Sequence, residues 1–347
     1  ITGTNGKSTT CSLIHHVLQK RWPETQLGGN IGRPASDLIY YEDSGKYVLE
    51  LSSFQIELLQ HAEFDIVGVL NITQDHLDRY KSFKEYMAAK RKIYDHIEEG
   101  GIGLFSYDCK NVRSIYDEFT KKGIERDLLP LSCDQHLKDG ASLINGKLFD
   151  NYFGGVSKSG MDLKLPISLQ GVHNQQNTLF AYASARRVGM SAAEFQSAIM
   201  DFKGLPHRAE LVHKAGKITF INDSKATNSQ AMLKSVASFD NIILIVGGIV
   251  KDDEFDGLRE HKDKIKLVYV IGEDRKYHLK ALKDFGIPYQ DSTTLKSAIT
   301  SIAKFVKENP ASYNVLLAPG AASFDQFKNF GDRGNQFKEL VKKFFSG

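Results

Sequence analysis

The sequence has little cysteine, no long apolar run and no excess of one charge. Its three cysteines, Cys11, Cys109 and Cys133, are scattered and odd in number. That argues against a disulfide framework, and the lack of any CxxC or CxxH pair argues against a zinc site; a reduced, cytoplasmic protein is expected. The longest apolar stretches, "NIILIVGG" and "DIVGVLNI", are strand-sized and fall well short of the ~20 residues of a membrane span. Net charge is only +3, with both signs interspersed. Without a basic stripe, neither nucleic acid nor a membrane is an expected partner. No signal-peptide pattern stands at Ile1, and there is no internal repeat or low-complexity tract. The 347 residues suffice for about two domains.

What is present is an α/β rhythm. "YVLELS" (47–52) and "FDIVGVLNI" (64–72) are continuous apolar strands of the parallel, doubly covered kind. "STTCSLIHHVLQKRW" (8–22) places Leu13, Ile14, Val17 and Leu18 at helical spacing, and 82–99 reads as a second amphipathic helix. "GIGLFS" and "LLPLS" are further strands, "LINGKLF" holds an Asn-Gly hairpin turn, and "HNQQNTLFAYASARRVG" is a helix. A boundary falls near "DFKGLPHRAELV". Beyond it strands and helices alternate again, ending on the helix "NQFKELVKKFF". The expected architecture is α/β: a first domain over 1–203 and a doubly wound, Rossmann-like domain over 204–347. Sites in such sheets lie past the C-terminal strand ends, here "INDSKATN", "GGIVKD" and "APGAASFDQF".

The opening "GTNGKST" carries the first chemistry. Its glycines let backbone N–H groups approach a polyphosphate, Lys7 can reach the β- and γ-phosphates, and the Ser8 hydroxyl suits Mg²⁺. The first glycine of GxxxxGK[ST] would fall on Ile1, so the loop is a variant, and a glycine-rich turn opening a helix stands beside that reading. Glu50 ends an apolar strand, where a buried charge needs a partner such as a metal; a solvent-facing strand-end glutamate is the alternative. "NITQDHLDRY" sets Asp75, His76, Asp78 and Arg79 past another strand end, a ligand or catalytic cluster. Lys90, beside Arg91 and Lys92, reads by itself as part of a solvated face. Arg208, after the proline turn of "LPHRAE", suits a γ-phosphate because a guanidinium pairs two phosphate oxygens. Asp223, Ser224, Lys225, Thr227 and Asn228 crowd one strand end, part of which a helix N-cap explains.

Taken together, "GTNGKST", "LELSSFQ", "NITQDHLD", the "AAK" helix and "HR" resemble, in order, the Mur ligase family of ATP-dependent amino-acid ligases. The resemblance runs from Ile1 to the C-terminus. Within that family, "LSSFQIE", "NDSKATN" and "PGAASFDQFKNFGDRG" resemble the branch that adds D-glutamate to UDP-N-acetylmuramoyl-L-alanine. Other amino-acid ligases of the superfamily, folylpolyglutamate synthases included, and a non-catalytic nucleotide-binding homologue are the alternatives.

The resemblance implies a cytoplasmic, monomeric enzyme of peptidoglycan precursor synthesis that forms an acyl phosphate from ATP. It also implies that 1–203 is a phosphate-loop (P-loop-type) ATPase domain, with a uridine-nucleotide domain ahead of Ile1 and the strand that feeds the phosphate loop cut at that point. Gly3, Thr4, Asn5, Gly6, Lys7, Ser8 and Thr9 would cradle the ATP phosphates, Asn174 and Asn177 would lie near the adenine, Arg208 would contact the γ-phosphate, and Asp223 the ribose. Ser8 and Glu50 would hold one Mg²⁺, His76 a second, and Lys90, carbamylated by CO₂, would help hold a magnesium ion. Asn30 would lie near the reacting substrate, with Lys225, Thr227, Lys251, Ser323 and Phe330 around the glutamate. One departure stands in "GGIVKDD": members of that branch carry an aspartate soon after the glycine pair, and here Ile249 and Val250 occupy the neighbourhood.

Overall fold

The computed structural model describes every residue except 43, 75–78, 125, 251–253, 346 and 347, together with the side chains of all but His173 and Glu254 among those described. The chain forms two compact units, Ile1–Phe202 and Lys203–Gly347.

In the first unit, strands β1 (Gln26–Gly29) and β2 (Tyr47–Glu50) pair in parallel, with Gly29 opposite Glu50. Strands β3 (Phe64–Val69), β4 (Ile97–Ser106), β5 (Asp127–Ser132) and β6 (Ala141–Ile144) form a parallel run. It continues antiparallel through β7 (Lys147–Asp150) and β8 (Met161–Asp162). Residues 1–4 lie between β2 and β3. Leu51 N donates to Ile1 O at 3.0 Å on one side, and Thr2 N donates to Gly68 O at 2.9 Å on the other. This short segment delivers the chain into the "GTNGKST" loop at the C-terminal end of the sheet. Before it, between the earlier parts of β2 and β3, lies a cavity of about 390 Å³ lined by Ile1, Tyr47, Leu49, Ile66 and Val67 among others.

The central strands are covered on both faces, as their continuous apolar runs lead one to expect. The helix Lys7–Gln19 buries Leu13, Ile14, Val17 and Leu18 in one core with Leu104, Leu129, Leu131 and Phe180. The opposite face packs Val67, Val69 and Phe105 against Tyr86, Ile93, Val112 and Ile115. Asn145 and Gly146 both have positive φ (50° and 77°) in the expected hairpin turn. One expectation changes: the helix read over 82–99 ends at Arg91, a 3₁₀ turn follows over Lys92–His96, and β4 starts at Ile97. Ile97 pairs with Phe64 on β3, and that long-range pairing outweighs the local helical pattern.

The second unit has one six-stranded sheet. Strands β9 (Glu210–Ala215), β10 (Ile218–Asn222), β11 (Ile242–Gly247), β12 (Ile265–Ile271), β13 (Tyr289–Thr293) and β14 (Tyr313–Leu317) take the order β13-β12-β11-β14-β10-β9. All pairs are parallel except β9–β10. The last helix starts five residues before its expected "NQFKELVKKFF", at Phe330, and runs to Phe345. Asn329 Oδ1 accepts from Asp332 N at 2.9 Å, which secures the earlier start. Gly334 inside this helix is accounted for by the His207 ring, which occupies the place a Cβ would need.

Gly29 has φ +96°, and a Cβ there would run into the Glu50 carbonyl oxygen. Gly29→Ala should therefore cost about 1–3 kcal/mol of stability. Denaturant unfolding checks this; an unchanged midpoint would show that β1 shifts off β2 freely.

Candidate active site

The loop of the first unit is gripped from three sides. Asn71, just past β3, holds Asn5 both ways: Asn5 N donates to Asn71 Oδ1 at 2.8 Å, and Asn71 Nδ2 donates to Asn5 O at 3.1 Å. Tyr86 Oη lies 3.1 Å from Thr4 Oγ1. From beneath, Asn177 Oδ1 accepts from Thr10 Oγ1 at 3.0 Å. Gly6, at φ +86°, has space for no side chain, because a Cβ would stand 2.6 Å from Asn177 Oδ1. Lys7 Nζ curls over the loop and donates to Gly3 O and Thr4 O at 2.9 and 3.0 Å. The first-turn N–H groups of the helix, at Lys7, Ser8 and Thr9, thus open from a fixed loop, an arrangement suited to an anion.

Glu50, at the end of β2, is 2% exposed. Asn30 holds it twice: Nδ2 donates to Oε1 at 3.0 Å, and the Asn30 backbone N donates to the Glu50 carbonyl oxygen at 2.8 Å. The other carboxylate oxygen, Oε2, is buried and has no hydrogen-bond partner among the described residues. A buried, half-satisfied carboxylate is costly, and a hard cation would satisfy it; the donor suits Mg²⁺. The solvent-facing alternative for Glu50 is thereby set aside. Among the described residues no three His, Cys, Asp or Glu side chains cluster into a complete metal site. Asp75, His76 and Asp78 lie outside the described residues. Arg79, the next residue, reaches Glu57 at 3.5 Å and lies 4.1 Å from the Phe54 ring.

Lys90 corrects the solvated-face reading its basic neighbours suggest. It is 2% exposed, its Nζ reaches Thr2 Oγ1 at 3.4 Å, and it lies 5.0 Å from the Tyr86 ring. Arg91, one position on, points elsewhere and pairs with Glu118 at 3.3 Å. Asn174 and Asn177 are also buried. Asn177 Nδ2 donates to Asn174 Oδ1 at 3.0 Å, and Asn174 Nδ2 to Gln170 O at 3.0 Å, so the pair forms a buttress under the loop.

In the second unit Arg208 sits between two residues of positive φ, His207 (64°) and Ala209 (43°). The turn is pinned by His207 N to Glu210 Oε2 (2.9 Å), Lys225 N to His207 O (3.0 Å) and Ala209 N to Asp223 Oδ1 (3.2 Å). Burial pushes the Asp223 carboxyl up to about 6, against the opposing pull of the Ser235 hydroxyl, the Ala209 N–H and the Arg208 charge. Lys225 is exposed, with Nζ 4.7 Å from the Phe330 ring. Thr227 N donates to Lys225 O at 2.8 Å, and Asn228 caps the next helix through Ala231 N. Ser323 is buried just past β14. Ile249 and Ala322 exchange backbone hydrogen bonds of 2.9 Å, joining the ends of β11 and β14. Lys251 lies outside the described residues.

Sequence reasoning passed over Tyr86, Asn71 and Arg333. Tyr86 stands four residues before Lys90, one helical turn, and that spacing was the available signal. Asn71 opens the quoted "NITQDHLD". Arg333 lies in "GDRG", where nothing in the sequence shows that its side chain is buried.

The sequence pattern of the Mur ligase middle domain matches residues 1–185. A UDP-N-acetylmuramoylalanine--D-glutamate ligase of Paramagnetospirillum magneticum is 38% identical over 348 residues, covering 100% of this chain and 74% of that protein. The protein of the same name from Rickettsia bellii is 38% identical and covers 98% of this chain and 74% of its own length. Among solved structures, MurF from Acinetobacter baumannii superposes with a TM-score of 0.68 at 17% identity, covering 100% of this chain and 76% of its own. That last likeness is one of fold.

Because burial holds a proton on Asp223, its contribution to stability is complete below about pH 4 and is lost as pH rises through the folded-state value near 6. Denaturant melts between pH 4 and 7 should show this loss, and Asp223→Asn should flatten that part of the profile. Identical slopes for the two proteins would contradict the assignment.

Proposed function

This chain belongs to the Mur ligase family, and on that premise we propose that it joins D-glutamate to UDP-N-acetylmuramoyl-L-alanine at the expense of ATP, a step of peptidoglycan precursor synthesis. The observation that carries the proposal is 36–38% identity, across essentially the whole chain, to ligases of that name. The geometry supports it: a rigid anion-binding loop stands with a buried, half-satisfied carboxylate in the first unit, and a basic strand-end cluster stands in the second. Among the described residues no helix is long and apolar enough to cross a membrane. A monomer acting in the cytoplasm on soluble substrates is part of the same proposal.

The reaction has two stages. The carboxylate of the nucleotide substrate attacks the γ-phosphorus of ATP, ADP departs, and an acyl phosphate forms. The amine of D-glutamate then attacks the acyl carbon, loses a proton, and the collapsing tetrahedral intermediate expels inorganic phosphate and leaves the amide. The loop Gly3–Thr9 holds the phosphates by backbone N–H groups. Lys7, released from its own loop carbonyls, follows the charge that spreads over the transferring phosphoryl group, and Arg208 pairs two of its oxygens. Ser8 and Glu50 would hold Mg²⁺, with His76 for a second ion. Bound there, Mg²⁺ supplies charge neutralisation on the phosphates. Lys90, buried beside Thr2 and Tyr86, is the candidate for carbamylation: its neutral amine adds to CO₂ and sheds a proton, turning a cation into an anion that can face a metal. Asn174 and Asn177 stand next to the nucleotide in this proposal while bracing the loop, and Asp223 takes the ribose. Asn30 sets Glu50 beside the reacting carboxylate. Lys225, Thr227, Lys251, Ser323 and Phe330 receive the amino acid, with two ammonium groups matching its two carboxylates.

ATP-dependent phosphate release in the presence of UDP-N-acetylmuramoyl-L-alanine should require D-glutamate and fail with L-glutamate, D-alanine or L-lysine. Lys7→Ala and Arg208→Ala should each lower kcat by about 10²–10³. Release that proceeds equally with another amino acid would move the specificity elsewhere in the family. No release with any amino acid would overturn the proposal.

A further inference from the structure

Arg333 is the largest fully buried side chain of the molecule's described residues, with no exposed surface. All five of its N–H donors are engaged, and none of the acceptors is a carboxylate. Nε donates to Ser224 Oγ at 3.0 Å; Nη1 donates to Ala321 O at 3.1 Å and Gly247 O at 3.4 Å; Nη2 donates to Ser224 O at 2.9 Å and Ala321 O at 3.1 Å. These carbonyls belong to the segments that leave β10, β11 and β14. Two of these segments go on at once to a residue of the proposed amino-acid site, Lys225 after Ser224 and Ser323 after Ala321; the third runs from Gly247 to Ile249, which exchanges backbone hydrogen bonds with Ala322 beside Ser323. Ser224 Oγ in turn donates to Phe330 O at 2.8 Å, which ties in the start of the helix that carries Arg333 itself.

We propose that Arg333 is a positioning and specificity residue: it locks the three strand-end loops into one acceptor site and, as a buried cation hydrogen-bonded to no carboxylate, biases that site toward an anionic amino acid. The inference rests on the proposed ligase function. Two physical points support it. A guanidinium offers five donors in a fixed plane, so one side chain can fix peptide groups from three strands, which a lysine with three donors cannot reproduce. A charge whose hydrogen bonds all go to neutral acceptors, with the Asp325 carboxylate acting on it only through space, keeps part of its long-range field, and a site that must collect a dicarboxylate gains from it. Burial lowers the Arg333 pKa to about 10, with Asp325 pulling it the other way, so the group remains cationic at neutral pH. Ser323 and Lys225 act on the substrate in this account; Arg333 acts through them.

The test is steady-state kinetics of Arg333→Lys and Arg333→Met, with Ser224→Ala as a milder cut of the same tie. Arg333→Lys should raise the KM for D-glutamate about tenfold or more and leave the KM for ATP within about twofold. Arg333→Met should do the same and also lower the preference for D-glutamate over the neutral D-glutamine. If Arg333→Met does not fold, the lysine and Ser224→Ala variants still decide the matter. Equal rises in the KM for ATP and for D-glutamate, or an unaltered D-glutamate KM in folded Arg333→Lys, would overturn the inference. Hydrogen exchange reads the tie separately: protection of 224–227, 247–250 and 321–323 should fall together in Arg333→Lys, and independent responses of the three segments would contradict a common lock. Absence of D-glutamate-dependent turnover in the unsubstituted protein would instead overturn the proposed function and the specificity half of this inference with it.

Discussion

A carboxylate buried with one oxygen unanswered is the constraint around which the first unit is arranged. Glu50 ends β2 with Oε1 and its backbone carbonyl both held by Asn30, while Oε2 has no hydrogen-bond partner among the described residues. The neighbourhood is shaped to keep it so. Gly29 lies opposite in the β-ladder, where any side chain would collide with the Glu50 carbonyl. The chain then turns at once into a short helix through a reciprocal cap between Ser52 and Gln55, which prevents the strand from running on. An apolar residue would suit that position better if stability alone mattered. A carboxylate there makes sense as half of an interaction whose other half arrives with the nucleotide.

The second unit carries the complementary case. Arg333 is a buried cation hydrogen-bonded only to backbone carbonyls and the Ser224 hydroxyl, and the segments it binds are those that leave β10, β11 and β14, two of which carry Lys225 and Ser323. Close backbone approach makes this possible. Gly247 and Gly248, at φ +123° and +134°, let the end of β11 lie directly against neighbouring strand ends, where a Cβ would meet the carbonyl oxygens of Ile271 and Ala322. Each unit thus places a buried charge, hydrogen-bonded to no opposite charge among the described residues, at the C-terminal end of a parallel sheet. That is the end where strand-end loops converge and ligands bind in open α/β folds.

Much of this was legible in the residue order. Continuous apolar runs marked the central strands, Asn145-Gly146 marked the hairpin, and "GTNGKST" marked the loop, because each signal is local. Glu50 was singled out for the physical reason the structure then displays, a charge at the end of an apolar strand. What the sequence concealed depends on contacts between distant segments. Lys90 looks solvated beside Arg91 and Lys92, and only the packing of its helix against Thr2 buries it. The start of β4 at Ile97 is decided by Phe64, more than thirty residues earlier in the chain. The early start of the last helix is set by Asn329, and the role of Arg333 needs three strand ends that are close only in the folded sheet.

The central claim is that Glu50 is held ready for a cation that accompanies ATP. Calorimetric titration of ATP with and without Mg²⁺, on the unsubstituted protein and on Glu50→Gln, tests it most directly and needs no turnover. The account predicts that Mg²⁺ tightens ATP binding in the unsubstituted protein and that Glu50→Gln removes most of that gain while leaving Mg²⁺-free binding nearly unchanged. An equal Mg²⁺ effect in both proteins would contradict it, and Glu50 would then be a structural carboxylate with no part in binding the nucleotide.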